Sequence, residues 1–261
     1  MRSIKRIFVI SVIVLSILYI STCAVLFLTQ RSLLYFPTSA LSDAAPTVLI
    51  ESDGETLRVL TRPADSNDAI ILFGGNADDV SGYLSSFAAS VPKQNLFLVN
   101  YRGYGGSTGT PSEAALFADA VVVYDHVHAK FPNVSVVGRS LGSGVAVYLA
   151  SVRKVNKLIL ITPYDSINNV AETHLPIFPI GLLLKDKFDS ASRVKDVTAK
   201  TLILIAEYDR TIPRKNTDAL VQQFPSDQVE VQTLAGTTHD SITSGAEYCR
   251  LVGEFLDSNH Q

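Results

Sequence analysis

The sequence predicts an α/β fold, in which a doubly wound, mostly parallel eight-stranded sheet follows an N-terminal transmembrane helix. Three observations support this fold. An apolar run without charges occupies residues 7–28. From residue 69 onward, short apolar runs alternate with helix-length segments, a pattern typical of a parallel sheet covered on both faces. Residues 134–149 read as a strand, a glycine-rich turn and a helix, and the rest of the domain is arranged around this unit.

Eight short runs are predicted as strands, and the first two form a hairpin around Asp53-Gly54 because Asp-Gly favours a tight turn. The strands are residues 47–51, 56–61, 69–73, 95–100, 134–137, 157–161, 201–206 and 229–234. The predicted helices are residues 79–91, 111–130, 141–155, 216–224 and 242–257. This alternation indicates one doubly wound domain.

The apolar run at residues 7–28 is long enough to cross a membrane, since a helix of this length rises about 33 Å and the hydrocarbon layer is about 30 Å thick. Three basic residues precede the run, and Arg31 alone follows it before Arg58. By the positive-inside rule, the N-terminus faces the cytoplasm. We therefore predict a single-pass membrane protein, with the domain that follows the span on the outer (periplasmic, extracellular or lumenal) side.

This topology divides the chain into four parts. Residues 1–6 form a cytoplasmic N-terminus, residues 7–28 the span, residues 29–46 a juxtamembrane segment and residues 47–261 the domain. Two other interpretations of the apolar run are a cleaved signal peptide and a lipoprotein signal at Cys23. The run is long for a signal peptide, and no small-x-small cleavage site follows it. The residues after Cys23 remain apolar, which disfavours the lipoprotein signal.

The charge of the domain argues against a nucleic acid as partner. Residues 1–31 hold four of the 22 basic residues and none of the 25 acidic ones, which leaves 18 against 25 in residues 32–261. Nucleic-acid binding requires a basic surface. The sequence carries no indication of oligomeric state.

A GxSxG motif with Ser140 at its centre follows the fifth predicted strand. A serine at such a sharp strand-to-helix turn has a strained backbone, and glycine is needed two residues before and after it, at Gly138 and Gly142. The turn exposes the hydroxyl beside the N-terminus of the next helix, where developing negative charge is favoured. Ser140 is therefore the candidate nucleophile. The same motif also fits an ordinary strand-to-helix turn, so a base, an acid and an oxyanion hole are needed elsewhere.

The loop after the third predicted strand offers part of an oxyanion hole. Its two glycines allow the backbone to approach a substrate oxygen closely, and the amide of Asn76 or Ala77 would act with that of Leu141. The alternative is a glycine turn that only begins a helix.

Two loops farther along the chain offer an acid and a base. Asp209 lies just beyond the seventh predicted strand, with Glu207 as a rival carboxylate nearer to the strand. His239 follows the last strand and would accept the proton of Ser140 while Asp209 orients its ring. The other histidines lie on a helix, in the segment before the acid strand, or at the C-terminus: His126, His128, His174 and His260.

Several stretches together resemble the Bem46-like membrane-anchored group of α/β-hydrolases, which includes the α/β-hydrolase domain-containing types 13 and 17. The resemblance covers nearly all of residues 30–261. The stretches are Gln30-Arg31 with Tyr35-Phe36-Pro37, Gly75-Asn76-Ala77, the Tyr-Arg-Gly-Tyr-Gly-Gly-Ser run at 101–107, the GxSxG motif, and Asp186-Lys187-Phe188-Asp189-Ser190. The run at 101–107 is specific to this kind of hydrolase. Carried over by position, the family triad falls on Ser140, Asp209 and His239.

The resemblance implies an α/β-hydrolase fold and a membrane-anchored serine hydrolase that needs no metal or cofactor. Its substrates would be small-molecule or lipid acyl esters or thioesters, cleaved through an acyl-enzyme. A serine aminopeptidase and a non-catalytic binding module are the alternatives. Gly74 stands where many relatives have histidine. Arg102 and Tyr104 are expected to pack the loop under the site.

A short lid is predicted at about residues 164–200, and its middle, residues 175–184, is strongly apolar. This stretch either lines an acyl pocket or faces the bilayer, or it is an ordinary helix on the sheet.

Overall fold

The computed structural model describes residues 2–39 and 45–258. Residue 1 of the predicted cytoplasmic N-terminus, residues 40–44 of the predicted juxtamembrane segment, and the C-terminal residues 259–261, with His260, lie outside the described residues. The statements below concern the described part of the chain.

Eight strands form one sheet, as the sequence predicts. They are β1 (Thr47–Ser52), β2 (Glu55–Arg62), β3 (Asp68–Phe73), β4 (Asn95–Val99), β5 (Asn133–Arg139), β6 (Lys157–Ile161), β7 (Lys200–Ala206) and β8 (Val229–Leu234). Their order is β1-β2-β4-β3-β5-β6-β7-β8. β1 pairs antiparallel with β2 and β2 with β4, and all the remaining pairs are parallel. The predicted doubly wound, mostly parallel sheet is confirmed.

Eight α-helices precede, connect or follow these strands. They are α1 (Arg2–Leu34), α2 (Tyr83–Ser90), α3 (Glu113–His128), α4 (Leu141–Val152), α5 (Ile167–His174), α6 (Ile180–Leu183), α7 (Arg214–Val221) and α8 (Ala246–Asp257). The predicted last helix is broken at Gly245, whose extended backbone separates a 3₁₀ turn, Ile242–Ser244, from α8. Asp79 caps a second 3₁₀ turn, Val80–Gly82, so α2 begins later than predicted.

Both faces of the sheet are apolar, which explains why its strands read as continuous hydrophobic runs. Successive side chains in a strand point to opposite faces. In β3, Ile71 and Phe73 belong to one buried cluster, whereas Ile70 and Leu72 belong to the other. The elbow between β5 and α4 therefore lies at the end of a strand in the middle of a rigid, doubly covered sheet.

The first helix, α1, is longer than the predicted span at residues 7–28 and is long and apolar enough to cross a membrane. Its C-terminal half packs against the predicted lid. The hydroxyl of Tyr19 donates to the carbonyl of Ile177 at 2.8 Å, and the ring of Tyr19 stacks on Phe178 at 5.7 Å between centroids. The amide of Gln30 donates to the carbonyl of Leu183 at 3.0 Å. Residues 175–184 thus lie beside α1.

Candidate active site

The turn between β5 and α4 holds Ser140 in a strained conformation, with φ 48° and ψ −117°. A non-glycine residue at positive φ is uncommon and marks a site where the surroundings impose the backbone. A Cβ atom on Gly138 would collide with the backbone of Gly142, and one on Gly142 with the carbonyl oxygen of Phe73. Both glycines of the motif are therefore required by close backbone approach, which is the geometry of a nucleophile elbow.

Three loops at the carboxyl ends of the strands bring Ser140, His239 and Asp209 into one hydrogen-bonded row. Nε2 of His239 lies 2.9 Å from Oγ of Ser140, and Nδ1 lies 2.8 Å from Oδ2 of Asp209. An ionised carboxylate only accepts hydrogen bonds, so Nδ1 is the donor, and Nε2 of the neutral ring can accept the serine proton. The side chains of His239 and Asp209 are 10% and 7% exposed, so little water competes for these bonds.

The two rival carboxylates have different partners. Oδ1 of Asp209 accepts the backbone N–H groups of Thr211 and Ile212 at 2.9 and 2.8 Å, which leaves Oδ2 directed at His239. Glu207 instead accepts the N–H of Gly236 at 2.7 Å and holds the turn after β8. The structure therefore associates Asp209 with the histidine and gives Glu207 a role in the loop.

The loop after β3 presents backbone amides beside Ser140. The N–H of Gly75 donates to Oδ2 of Asp78 at 2.6 Å and is thereby occupied. In the described part of the chain, no hydrogen bond engages the N–H of Asn76, Ala77 or Leu141. Leu141 is the first residue of α4, where helix amides have no partner within the helix. These three amides are thus available to a substrate oxygen.

Arg139, the variable residue before the serine, joins the loops around the site. Its Nη1 lies 2.8 Å from both carboxylate oxygens of Asp78, and its Nη2 donates to the carbonyl of His239 at 3.0 Å. Burial opposes the charge of Arg139, but Tyr83 and Asp78 favour it, and the pKa of the guanidinium is raised. The loop after β3 and the loop after β8 are therefore tied to one buried cation. The motif alone did not indicate this role, because its x position accepts many residues.

The Tyr-Arg-Gly-Tyr run at residues 101–104 contacts both the loop after β3 and helix α3. Arg102 forms a buried bidentate ion pair with Asp119, in which Nε and Nη2 donate to the two carboxylate oxygens at 2.7 Å each. Burial raises the pKa of Tyr104 to about 12, so its hydroxyl stays protonated and donates to Oδ1 of Asn76 at 2.8 Å. The same Oδ1 accepts the N–H of Phe36, and Nδ2 of Asn76 donates to the carbonyl of Leu34 at 2.5 Å. Asn76 thus connects the loop after β3 to the end of α1.

A cleft of about 410 Å³ lies above Ser140. Its walls include Leu33 and Leu34 from α1 and His174 from α5. None of these three residues was predicted from the sequence to belong to the site. The Gln30-Arg31 and Tyr35-Phe36-Pro37 pattern was the available signal that the end of α1 belongs to the domain. In residues 2–39 and 45–258, no group of three or more His, Cys, Asp or Glu side chains is arranged to hold a metal ion.

Comparisons with known proteins agree with this fold and motif set. No family model matches the chain. It is 32% identical over 209 residues to an uncharacterized protein of Mycobacterium tuberculosis, covering 74% of each chain. It is 26% identical over 219 residues to protein bem46 of Schizosaccharomyces pombe, covering 78% of this chain and 72% of the relative. It is 29% identical over 208 residues to mouse α/β-hydrolase domain-containing protein 17C, covering 76% and 62%.

Solved structures show the same fold at low sequence identity. The esterase Pf2001 of Pyrococcus furiosus superposes with a TM-score of 0.68 at 14% identity, over 84% of this chain and 95% of that one. The esterase EaEST of Exiguobacterium antarcticum gives 0.66 at 17% identity, over 82% and 100%. With the sequence relatives, the eight-stranded sheet and the strained serine turn, this places the chain in the Bem46-like group of the α/β-hydrolase superfamily.

Proposed function

We propose that this protein is a membrane-anchored serine hydrolase, which cleaves carboxylic esters or thioesters through an acyl-enzyme on Ser140. The observation that carries the proposal is the hydrogen-bonded row of Ser140, His239 and Asp209, with distances of 2.9 and 2.8 Å. Two esterases among the solved structures have the same fold, which agrees with this activity.

In the first half of the reaction, Oγ of Ser140 attacks the acyl carbon and His239 accepts the hydroxyl proton on Nε2. Asp209 stabilises the imidazolium that forms. The amides of Leu141 and of Asn76 or Ala77 bind the oxyanion of the tetrahedral intermediate. When this intermediate collapses, the bond to the leaving alcohol or thiol breaks, and His239 returns the proton to that group.

In the second half, water attacks the acyl-enzyme while His239 accepts one of its protons. Collapse of the second intermediate breaks the bond to Oγ, releases the carboxylic acid and returns the proton to Ser140. The reaction consumes one ester and one water and forms one acid and one alcohol or thiol. The residues named here supply all the groups needed for it.

Labelling with a fluorophosphonate probe tests the nucleophile in the full-length protein in detergent. The parent should label and hydrolyse p-nitrophenyl acetate, whereas Ser140→Ala should do neither. Ser151→Ala is the matched control, because Ser151 lies at the other end of the same helix and donates to the carbonyl of Tyr148 at 2.7 Å. If Ser140→Ala labels as strongly as the parent, Ser140 is not the nucleophile; a parent that neither labels nor hydrolyses the ester would favour the binding module.

A panel of ester, thioester and peptide substrates then distinguishes the bond that is cleaved. We expect turnover of esters and thioesters. Cleavage of aminoacyl peptides alone would instead favour the serine aminopeptidase interpretation.

The proposed topology follows from the charges around the apolar run. The N-terminus lies in the cytoplasm, residues 7–28 span the membrane, and residues 47–261 form the outer domain, with residues 29–46 between them and a lid at about 164–200. The length and hydropathy of α1 support a span. A phosphatase fused to the C-terminus should be active on the outer side. Activity only in the cytoplasm would reverse the orientation.

A further inference from the structure

The cleft above Ser140 borders a second cavity of about 200 Å³ that lies beside α1. The two spaces share four lining residues: Leu33, Leu34, Ile167 and Ala171. The second cavity extends away from the serine to Leu26 on α1 and to Ile180 on α6. The space beside α1 is therefore a direct neighbour of the cleft that contains the candidate nucleophile.

The walls of this second cavity are almost entirely apolar. Gln30 is the one polar side chain among its lining residues. The amide nitrogen of Gln30 donates to the carbonyls of Phe27 and Leu183, and its oxygen accepts the N–H of Lys185 at 2.6 Å. A buried water needs two to four polar partners, and an apolar cavity takes hydrocarbon instead. The chemistry of the cavity thus suits a hydrocarbon chain.

The surroundings of the cavity are apolar on the outside as well. Ile177 and Leu182 in the lid are 71% and 85% exposed, and Leu28 on α1 is 80% exposed. The lid contacts α1 from Tyr19 to Arg31, about 18 Å along the helix axis. Large exposed apolar patches mark contact with a membrane or a partner. Here the patch continues along a helix that is long enough to cross the bilayer, so we expect lipid to contact it.

We propose that the space between α1 and the lid takes one acyl chain of a bilayer lipid ester and directs its ester carbonyl to Ser140. The membrane anchor is then one wall of the substrate site. This inference rests on the proposed hydrolase function. A second helix is too wide for the cavity, since an α-helix with its side chains is about 10 Å across. Adjacency to the serine cleft favours the acyl chain of a substrate over a structural lipid.

Chain-length preference tests the acyl site in the full-length protein in detergent, with p-nitrophenyl acetate and p-nitrophenyl octanoate. Burying one methylene stabilises a complex by up to about fourfold in affinity, so octanoate should be the better substrate by at least about tenfold in kcat/KM. Ala171→Trp fills the junction of the two spaces. It should lower the octanoate-to-acetate ratio of kcat/KM by at least about tenfold.

Glu172→Trp is the matched control, because Glu172 is exposed on the same helix. It should change neither rate. A second pair of variants lies on the anchor itself. Leu26→Trp blocks the far end of the cavity and should shorten the longest acyl chain accepted, whereas Leu28→Trp on an exposed position should not. An unchanged octanoate-to-acetate ratio in both Ala171→Trp and Leu26→Trp would overturn the acyl site while the hydrolase proposal stands.

Reconstituted vesicles test the lipid as the source of the chain. The parent in vesicles of a dilauroyl phospholipid should release lauric acid. In Ala171→Trp, the release of lauric acid relative to p-nitrophenyl acetate turnover should fall at least about tenfold. A ratio that is equal in parent and variant would overturn the proposal. If the parent cleaves neither substrate and Ser140 does not label, the hydrolase function fails and the acyl site fails with it.

Discussion

The Ser140 row and the contact between α1 and the lid are held together by different forces. Around Ser140, hydrogen bonds join the loops that follow β3, β5, β7 and β8. Arg139 connects two of these loops. Between α1 and the lid, apolar surfaces meet and a few polar bonds join their ends. The polar contacts thus fix the positions of the loops around Ser140, whereas mainly apolar contacts fix the lid against α1.

The largest effect should come from the acid of the row. Asp209→Asn leaves the size of the side chain unchanged. The amide no longer fixes the tautomer of His239 and does not stabilise the imidazolium, so kcat should fall about 10⁴-fold. Glu207→Gln, two residues away, retains an oxygen for the N–H of Gly236 and should change kcat by no more than about twofold. Steady-state hydrolysis of p-nitrophenyl acetate measures both. Equal losses in the two variants would contradict the assignment of the acid.

The next effect concerns the strained turn. A Cβ atom on Gly142 would collide with the carbonyl oxygen of Phe73, so Gly142→Ala should lower the free energy of unfolding by about 3–4 kcal/mol. Gly82→Ala is the control, because no atom lies within 4 Å of its new Cβ and its backbone is helical. It should be within about 1 kcal/mol of the parent. Chemical unfolding in detergent micelles measures both, and similar values would contradict the close packing of the elbow.

Breaking the buried link between loops should cost slightly less. Arg139→Leu leaves Asp78 without its cation in a largely buried site, which should destabilise the protein by about 3 kcal/mol. Arg153→Leu removes a half-exposed ion pair with Asp125 and should cost about 0.5 kcal/mol. Unfolding in micelles compares the two. A smaller loss for Arg139→Leu than for Arg153→Leu would show that Arg139 does not hold the loops.

The smallest effect is expected at the junction of anchor and lid. Asp186 is buried and accepts hydrogen bonds from Arg31 at 3.0 Å and from the hydroxyl of Tyr35 at 3.1 Å. Asp186→Asn should lower the free energy of unfolding by about 1 kcal/mol, the usual net value of such bonds. Acetate turnover should stay within about twofold of the parent, as it should in the exposed control Asp196→Asn. A tenfold loss of acetate turnover would contradict the separation of the two regions.

Much of the fold was predictable because its signals are local. The continuous apolar character of β3 to β7 follows from burial on both faces, and the Asp-Gly turn between β1 and β2 follows from backbone preference. The boundaries were less predictable. Gly245 interrupts the last predicted helix, and Asp79 begins a 3₁₀ turn before α2, because caps and glycine backbones act at single residues.

The sequence by itself determined the sheet, the serine turn and the chain order of Ser140, Asp209 and His239, because periodicity, glycine and strand ends are properties of neighbouring residues. Only the tertiary structure decided that Arg139 holds two loops together and that Leu33 and Leu34 of the anchor line the cleft. Those contacts join residues about 60 to 140 positions apart, from Arg139 to Asp78 and from Leu33 to His174. No local sequence pattern encodes these contacts, because they depend on how the helices and strands pack against each other.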